Sequence, residues 1–296
     1  MNPYPDFITI GAMKCATSSL HVQLAAQPGI FMCEPKEPNF FSNDEEYAKG
    51  IEWYKSLFAE ASINDMCGES STHYTKLPTY PYTIERLKQH LPDVKLIYVM
   101  RHPIDRLISQ YIHEWSQNVI SVDINRAIDE YPELISYSKY SLQLQPYFEA
   151  FGREKVLPVF FERVLKFPQA ELERICQFIG YQGKPVWSDV ESHTKNAGSD
   201  RWRKTKLRMF ITENSVLKTI RQNLIPKSLR NKIRNSWAIQ NKPEVEPQKL
   251  EYLQNIFDED LAVVGSWLGV ELSCNNYKAT VQNNSINWVD VMSKKS

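Results

Sequence analysis

Lys14 lies in a turn between a β-rich run, Phe7-Ile8-Thr9-Ile10, and three hydroxyl residues, Thr17-Ser18-Ser19, that open a helical pattern ending near Ala26. A strand, a tight turn and a helix N-terminus aim backbone N–H groups at one point, and a lysine there suits a phosphate or a sulfate. Spacing separates this loop from a Walker A sequence. Counted from Gly11, G-x-x-x-x-G-K-[ST] needs glycine and lysine where this chain has Ala16 and Thr17. Lys14 comes three residues too early. A second chemical set is Arg101, Pro103 and Ser109, which follow the apolar run Val94–Met100. Proline at a helix start places Ser109 about two turns in, and an arginine fork with a hydroxyl suits a dianionic monoester phosphate. Taken alone, the same string also fits an arginine that merely ties a strand end to the fold. Glu37, Glu69 and His73 are the groups able to take a proton, while His113 reads as a residue of a helix face. A lone Glu37 would read as a solvated loop carboxylate.

The elements that must hold these residues are short, β-rich runs, each followed by a helical pattern. Strands are expected at Phe7–Ile10, Val94–Met100 and Lys155–Phe161, with a further short one at Asp65–Glu69. Helices are expected at Ser18–Ala26, Ile104–Asn118 and Gln169–Ile179. Such alternation predicts a doubly wound α/β sheet, in which ligands sit beyond the carboxyl ends of the strands. Gly11–Ser19, Glu69–Tyr74 and Arg101–Ser109 should therefore meet in one crevice. Pro247–Leu268 carries Leu250, Leu253, Ile256, Phe257, Leu261, Val264 and Leu268 on one helical stripe. The tail beyond Cys274 is polar and gives no reason to expect structure.

Composition narrows the classes. The chain has 296 residues, 42% of them hydrophobic, enough for one large domain core. Its formal net charge is zero, which gives no global reason to expect nucleic acid or a membrane surface as partner. Locally, Lys195–Arg234 holds twelve basic residues against two acids, a net +10 that fits either a solvated helical face or a charged lid. Five cysteines, odd in number and never spaced C-x-x-C, fit a reduced protein. Six histidines form no metal-ligand motif, so no metal is expected. The first residues show no targeting pattern, and no run reaches the about 18 apolar residues that span a bilayer. A cytoplasmic protein is expected.

The Lys14 loop resembles the 5′-phosphosulfate loop of the sulfotransferases that use PAPS (3′-phosphoadenosine 5′-phosphosulfate). Arg101 and Ser109 stand in the order of their 3′-phosphate element. Lys36-Glu37-Pro38-Asn39-Phe40-Phe41 is similar to the K-E-x-H-F-F segment of heparan sulfate sulfotransferases, and Gly50-Ile51-Glu52-Trp53-Tyr54 to their G-x-x-W-Y. Gly68-Glu69-Ser70-Ser71-Thr72-His73-Tyr74 resembles their E-K-[ST]-x-x-Y and the G-E-x-S-x-x-Y of bacterial relatives. Tyr140 through Gly180 is similar to the Y-x-x-x-L, F-F-E and F-[IL]-G stretch. Asn196-Ala197-Gly198 with Arg201 resembles a bacterial lid. The resemblance runs over roughly residues 5–273.

It implies a P-loop-like three-layer α/β fold, a central parallel sheet flanked by helices. One sulfotransferase domain would span residues 1–275, with 195–234 as a basic lid or helical segment and 276–296 as a polar tail. It implies PAPS as donor and 3′,5′-ADP as product, no metal, and a saccharide or small-molecule hydroxyl or amine as acceptor. Lys14, Cys15, Ala16, Thr17, Ser18, Ser19, Arg101, Ser109, Arg201 and Trp202 would bind the donor. Lys14 would stabilise the leaving phosphate, and Glu37 would be the base, with His73 its rival; Glu69 would be either a base or a structural acceptor. Three positions depart from the pattern: Ala16 replaces a glycine, Ser70 replaces a second lysine, and Asn39 replaces a histidine. Two other readings are a nucleotide-binding phosphotransferase and a non-catalytic module that binds PAPS or 3′,5′-ADP.

Overall fold

A computed structural model describes residues 4–188 and 243–289. Five parallel strands form one sheet: β1 (Phe7–Gly11), β2 (Ile30–Met32), β3 (Met66–Ser70), β4 (Lys95–Met100) and β5 (Val156–Phe160), in the order β2-β3-β1-β4-β5. Every residue of β1 and β5 is buried, as expected of strands covered by helices on both faces. The Thr17–Ala25 helix buries Leu20 and Leu24, one turn apart, against the sheet. The Pro103–Ser116 helix buries Ile104, Leu107, Ile108, Tyr111 and Ile112, the spacing of a single apolar stripe.

β1 leads to β2 on one side, whereas β4 leads to β5 on the other. The chain changes direction between β1 and β4, so a crevice opens beyond their carboxyl ends. The expected strands and helices stand within a residue or two of these boundaries, and the Pro247–Leu268 helix matches its expected range. β2 has no counterpart among the expected strands. With three residues it is too short to give an alternating signal.

The far edge strand explains a proline within a strand. Pro158 has no N–H to give, which an outermost strand tolerates. Trp288 Nε1 donates to the Val156 carbonyl at 2.6 Å, and Arg174 Nη2 donates to the Pro158 carbonyl at 2.6 Å. Side chains thus cover acceptors along the free edge. Trp288 belongs to the tail expected to lack structure. Instead, Tyr277–Asn283 is a helix, and Tyr277, Val281 and Ile286 are buried apolar anchors spaced through the polar sequence. The expected lid, with Asn196, Ala197, Gly198, Arg201 and Trp202, and the rest of 195–234 lie outside the described residues.

Candidate active site

The Lys14 turn leaves β1 at Gly11, where a Cβ would stand 1.9 Å from Thr75 Oγ1 and 3.1 Å from the Tyr98 ring. Thr75 uses that space to donate from Oγ1 to the Ile10 carbonyl at 2.8 Å. Glycine is thus required so that the Thr72–Thr75 3-10 turn can close on the end of β1. Ala16 is the N-cap of the Thr17–Ala25 helix, with φ 63° and no side-chain cap. That left-handed conformation accounts for the glycine otherwise expected at this position, since alanine carries a steric cost there. Thr17 is buried, Ser18 exposed and Ser19 half-buried at the opening of the helix. Cys15 is fully buried with its thiol pushed up to about 12 by burial, so its contribution to the loop is its backbone.

Arg101 leaves β4 directly opposite this loop. Its Nη1 donates to the Lys14 carbonyl at 3.3 Å, and its guanidinium lies 4.7 Å from the Phe161 ring centroid. Tyr140 holds the Arg101 backbone from both sides: its hydroxyl accepts from the Arg101 N–H at 3.1 Å and donates to the Arg101 carbonyl. Arg101 Nε is buried without a partner among the described residues. Ser109 is half-buried on the helix that begins at Pro103, as its spacing predicts.

Glu37 reaches the crevice from a third direction. Its N–H donates to the Ser70 carbonyl at 3.0 Å, which hangs its loop on the end of β3. Behind the loop, Phe40 and Phe41 are buried against Tyr54, at 4.8 and 4.9 Å between ring centroids. The Tyr54 hydroxyl in turn donates to Glu69. Glu37 and Asn39 take φ values of 61° and 54°. With Lys14 and Ala16, they are four of the five non-glycine residues at positive φ among the described residues. Backbone strain of this kind concentrates where a structure must hold side chains in a working arrangement.

The charges around Glu37 are coupled. Burial alone would raise its carboxyl, but the Lys36 ammonium, 2.6 Å from Oε1, outweighs it, with His73 and Lys76 adding to the effect. Glu37 is therefore held below the usual carboxylate range. Burial, helped by Lys76 and opposed by Glu37, lowers His73 to about 4. Its ring stacks on Tyr80 with centroids 4.9 Å apart, and Nδ1 is buried without a partner among the described residues. Glu69 is fully buried and accepts from Ser71 Oγ at 2.6 Å as well as from Tyr54; burial raises its carboxyl. Of the two roles expected for Glu69, the structural acceptor is the one this environment supports.

Two site residues carry no sequence signal. His21 is buried with Nδ1 3.1 Å from Ser70 Oγ, and burial, then Lys36, lowers it to about 4. Lys76, just past the 3-10 turn, is lowered by burial to about 8. Neither belongs to a motif; only the turn at Thr72–Thr75 and the face of the first helix bring them inward. A cavity of 680 Å³ lined by Phe148, Arg153, Arg174 and Trp288 lies beside the first half of β5, away from these loops.

The sulfotransferase domain model matches residues 4–265. The chain belongs to this sulfotransferase family. Mouse heparan sulfate glucosamine 3-O-sulfotransferase 3B1 is 30% identical over 185 residues, which cover 60% of this chain and 46% of that protein. Mouse heparan sulfate glucosamine 3-O-sulfotransferase 5 is 27% identical over 187 residues, 59% of this chain and 53% of its own length. The chain thus spans about half the length of these curated relatives. A sulfotransferase from Alicyclobacillus acidocaldarius shares the fold, with a TM-score of 0.63 and 23% identity over 91% of this chain and 97% of that one. Lys14 and Arg101 follow the adjacent strands β1 and β4, and the backbone of Glu37 is tied to the end of β3 on the other side of β1.

Proposed function

We propose that this protein transfers a sulfuryl group from PAPS to a hydroxyl or amine of a saccharide or small metabolite. The observation that carries the reading is the junction of Arg101 with the Lys14 loop: its guanidinium is tied to the Lys14 carbonyl, and its buried Nε has no partner among the described residues. Such a group is suited to a phosphate oxygen, because an unmatched buried donor costs free energy until an acceptor arrives.

In this reading, the N–H groups at the start of the Thr17–Ala25 helix and the hydroxyls of Thr17, Ser18 and Ser19 hold the 5′ end of the donor. Arg101 and Ser109 hold its 3′-phosphate. PAPS supplies the sulfuryl group and departs as 3′,5′-ADP. Lys14 balances the charge that develops on the bridging oxygen as the sulfur–oxygen bond breaks. Glu37, ionised at neutral pH, takes the acceptor's proton as the new bond to sulfur forms. Lys36 keeps that carboxylate charged and in place. His73, neutral but weakly basic, is the second choice as base. Arg201 and Trp202 remain expectations of the resemblance. The test is an acceptor library incubated with PAPS and read by mass spectrometry for added sulfate. Sulfated product is expected, and its complete absence together with no binding of 3′,5′-ADP would remove the reading.

A further inference from the structure

Lys76 is a cation without an assigned task. It is half-buried, and its ammonium stands 5.8 Å from the centroid of the Tyr137 ring. The Tyr137 hydroxyl is fixed by Thr79 Oγ1 at 2.5 Å, and Tyr80, the next residue after Thr79, stacks on the His73 ring with centroids 4.9 Å apart. Among the described residues no carboxylate forms an ion pair with Lys76; Glu37, Glu114 and Arg106 act on it from greater distance. A partly desolvated ammonium with an aromatic face, whose carboxylate neighbours among the described residues stay beyond ion-pair distance, gains free energy when an anion reaches it.

Position decides which anion. The donor's two charged ends are already matched by the Lys14 loop and Arg101. Lys76 follows the Thr72–Thr75 turn and shares the neighbourhood of Glu37, the group that meets the acceptor, and of Glu114 on the Pro103–Ser116 helix. Ser70, on the strand just before that turn, is buried and engaged with His21, so it offers no charge here.

Resting on the sulfotransferase reading, we propose that Lys76 selects the acceptor by binding an oxyanion, a carboxylate or a sulfate, that the acceptor carries beside its reacting hydroxyl or amine. Tyr137 and Tyr80 form the flat walls of that subsite, and the acceptor anion completes the charge that Glu37 supplies only at a distance. The protein would thus prefer acidic acceptors over neutral molecules of the same shape.

The experiment uses a panel of hydroxylated carboxylic acids and sugar acids, each paired with its neutral primary amide, incubated with the full chain and PAPS. The acids should show kcat/KM about tenfold or more above their amides, the effect of one charge-assisted hydrogen bond. Lys76→Met should collapse that ratio mainly through KM of the acids, and Lys76→Arg should retain it. Calorimetry with 3′,5′-ADP on each variant checks that the donor site is folded, and the parent's own ratio stands without any variant. Equal use of acids and amides, a ratio untouched by Lys76→Met, or no sulfated acid while 3′,5′-ADP still binds would each overturn the proposal. If the parent binds no 3′,5′-ADP, the sulfotransferase reading fails and this proposal falls with it.

Discussion

Arg101 reaches across from the end of β4 to the Lys14 carbonyl, 3.3 Å away, in the loop that follows β1. The contact spans the place where the sheet changes direction, so one side chain both closes the loop and faces the crevice. Phe161 supports the guanidinium face and Tyr140 fixes the backbone, which leaves the remaining donors aimed by rigid neighbours.

Arg101→Ala should therefore weaken 3′,5′-ADP binding about ten- to hundredfold, the loss of one charge-assisted partner. Binding of 5′-AMP should change little, because it lacks the 3′-phosphate. Calorimetry with both nucleotides measures the difference. An equal loss for both would assign Arg101 to holding the loop alone.

At Ala16, the left-handed backbone gives a stability prediction of known sign. An L-residue there costs about 1–2 kcal/mol, and glycine returns roughly 0.5–1 kcal/mol of that through its greater freedom in the unfolded chain. Ala16→Gly should stabilise the fold by at most about 1.5 kcal/mol. Urea unfolding would show a higher midpoint at unchanged slope. A lower midpoint would mean that the Ala16 methyl packs favourably.

His21 and His73 each take stability away on the acid side. Both are lowered to about 4 by burial, from an ordinary value of 6.5. At these two rings the unfolded chain binds more protons than the folded one between those values, so their contribution to stability is full above about 6.5 and is lost as pH drops toward 4. Each histidine adds a slope of at most about 1.4 kcal/mol per pH unit. Denaturant unfolding of the parent and of His73→Gln at pH near 7 and near 5 isolates this contribution: the parent should lose more, or gain less, stability than the variant on going to pH 5, whatever the raised carboxyls Glu69, Glu114, Glu162 and Asp260 add to both. An identical pH dependence in that variant would refute the assignment.

The strand ends, the lysine loop and the arginine–proline helix start were legible because each rests on local spacing. β1 and β4 are continuous apolar runs, and Pro103 marks the first turn of its helix. Lys76 and His21 were not legible, since only tertiary closure brings them in. Thr75 docks on Ile10 and draws Lys76 along, while His21 turns inward to Ser70, 49 positions away. The helix at Tyr277–Asn283 was missed for a related reason: Tyr277 finds its core only against the rings of His102, which precedes the Pro103 helix, and Phe160, the last residue of β5. Glu37 was legible through its resemblance alone, and its coupling to Lys36, His73 and Lys76 became visible only in three dimensions.

That coupling separates binding from chemistry in one set of variants. With Glu37 as the base, Glu37→Gln should lower turnover about 10²–10⁴-fold while 3′,5′-ADP affinity stays near the parent's. His73→Ala should be milder, because a ring lowered to about 4 is a weak base. The pH profile carries the sign. Glu37 works as a carboxylate, so activity falls as pH drops through its titration, which Lys36 places below the ordinary carboxylate range. Lys36→Met removes the cation 2.6 Å from Oε1, and the acidic limb should move to higher pH. Glu37→Gln should lack that limb altogether. An active Glu37→Gln beside a dead His73→Ala would transfer the role of base to the histidine, and a limb unmoved by Lys36→Met would detach it from Glu37.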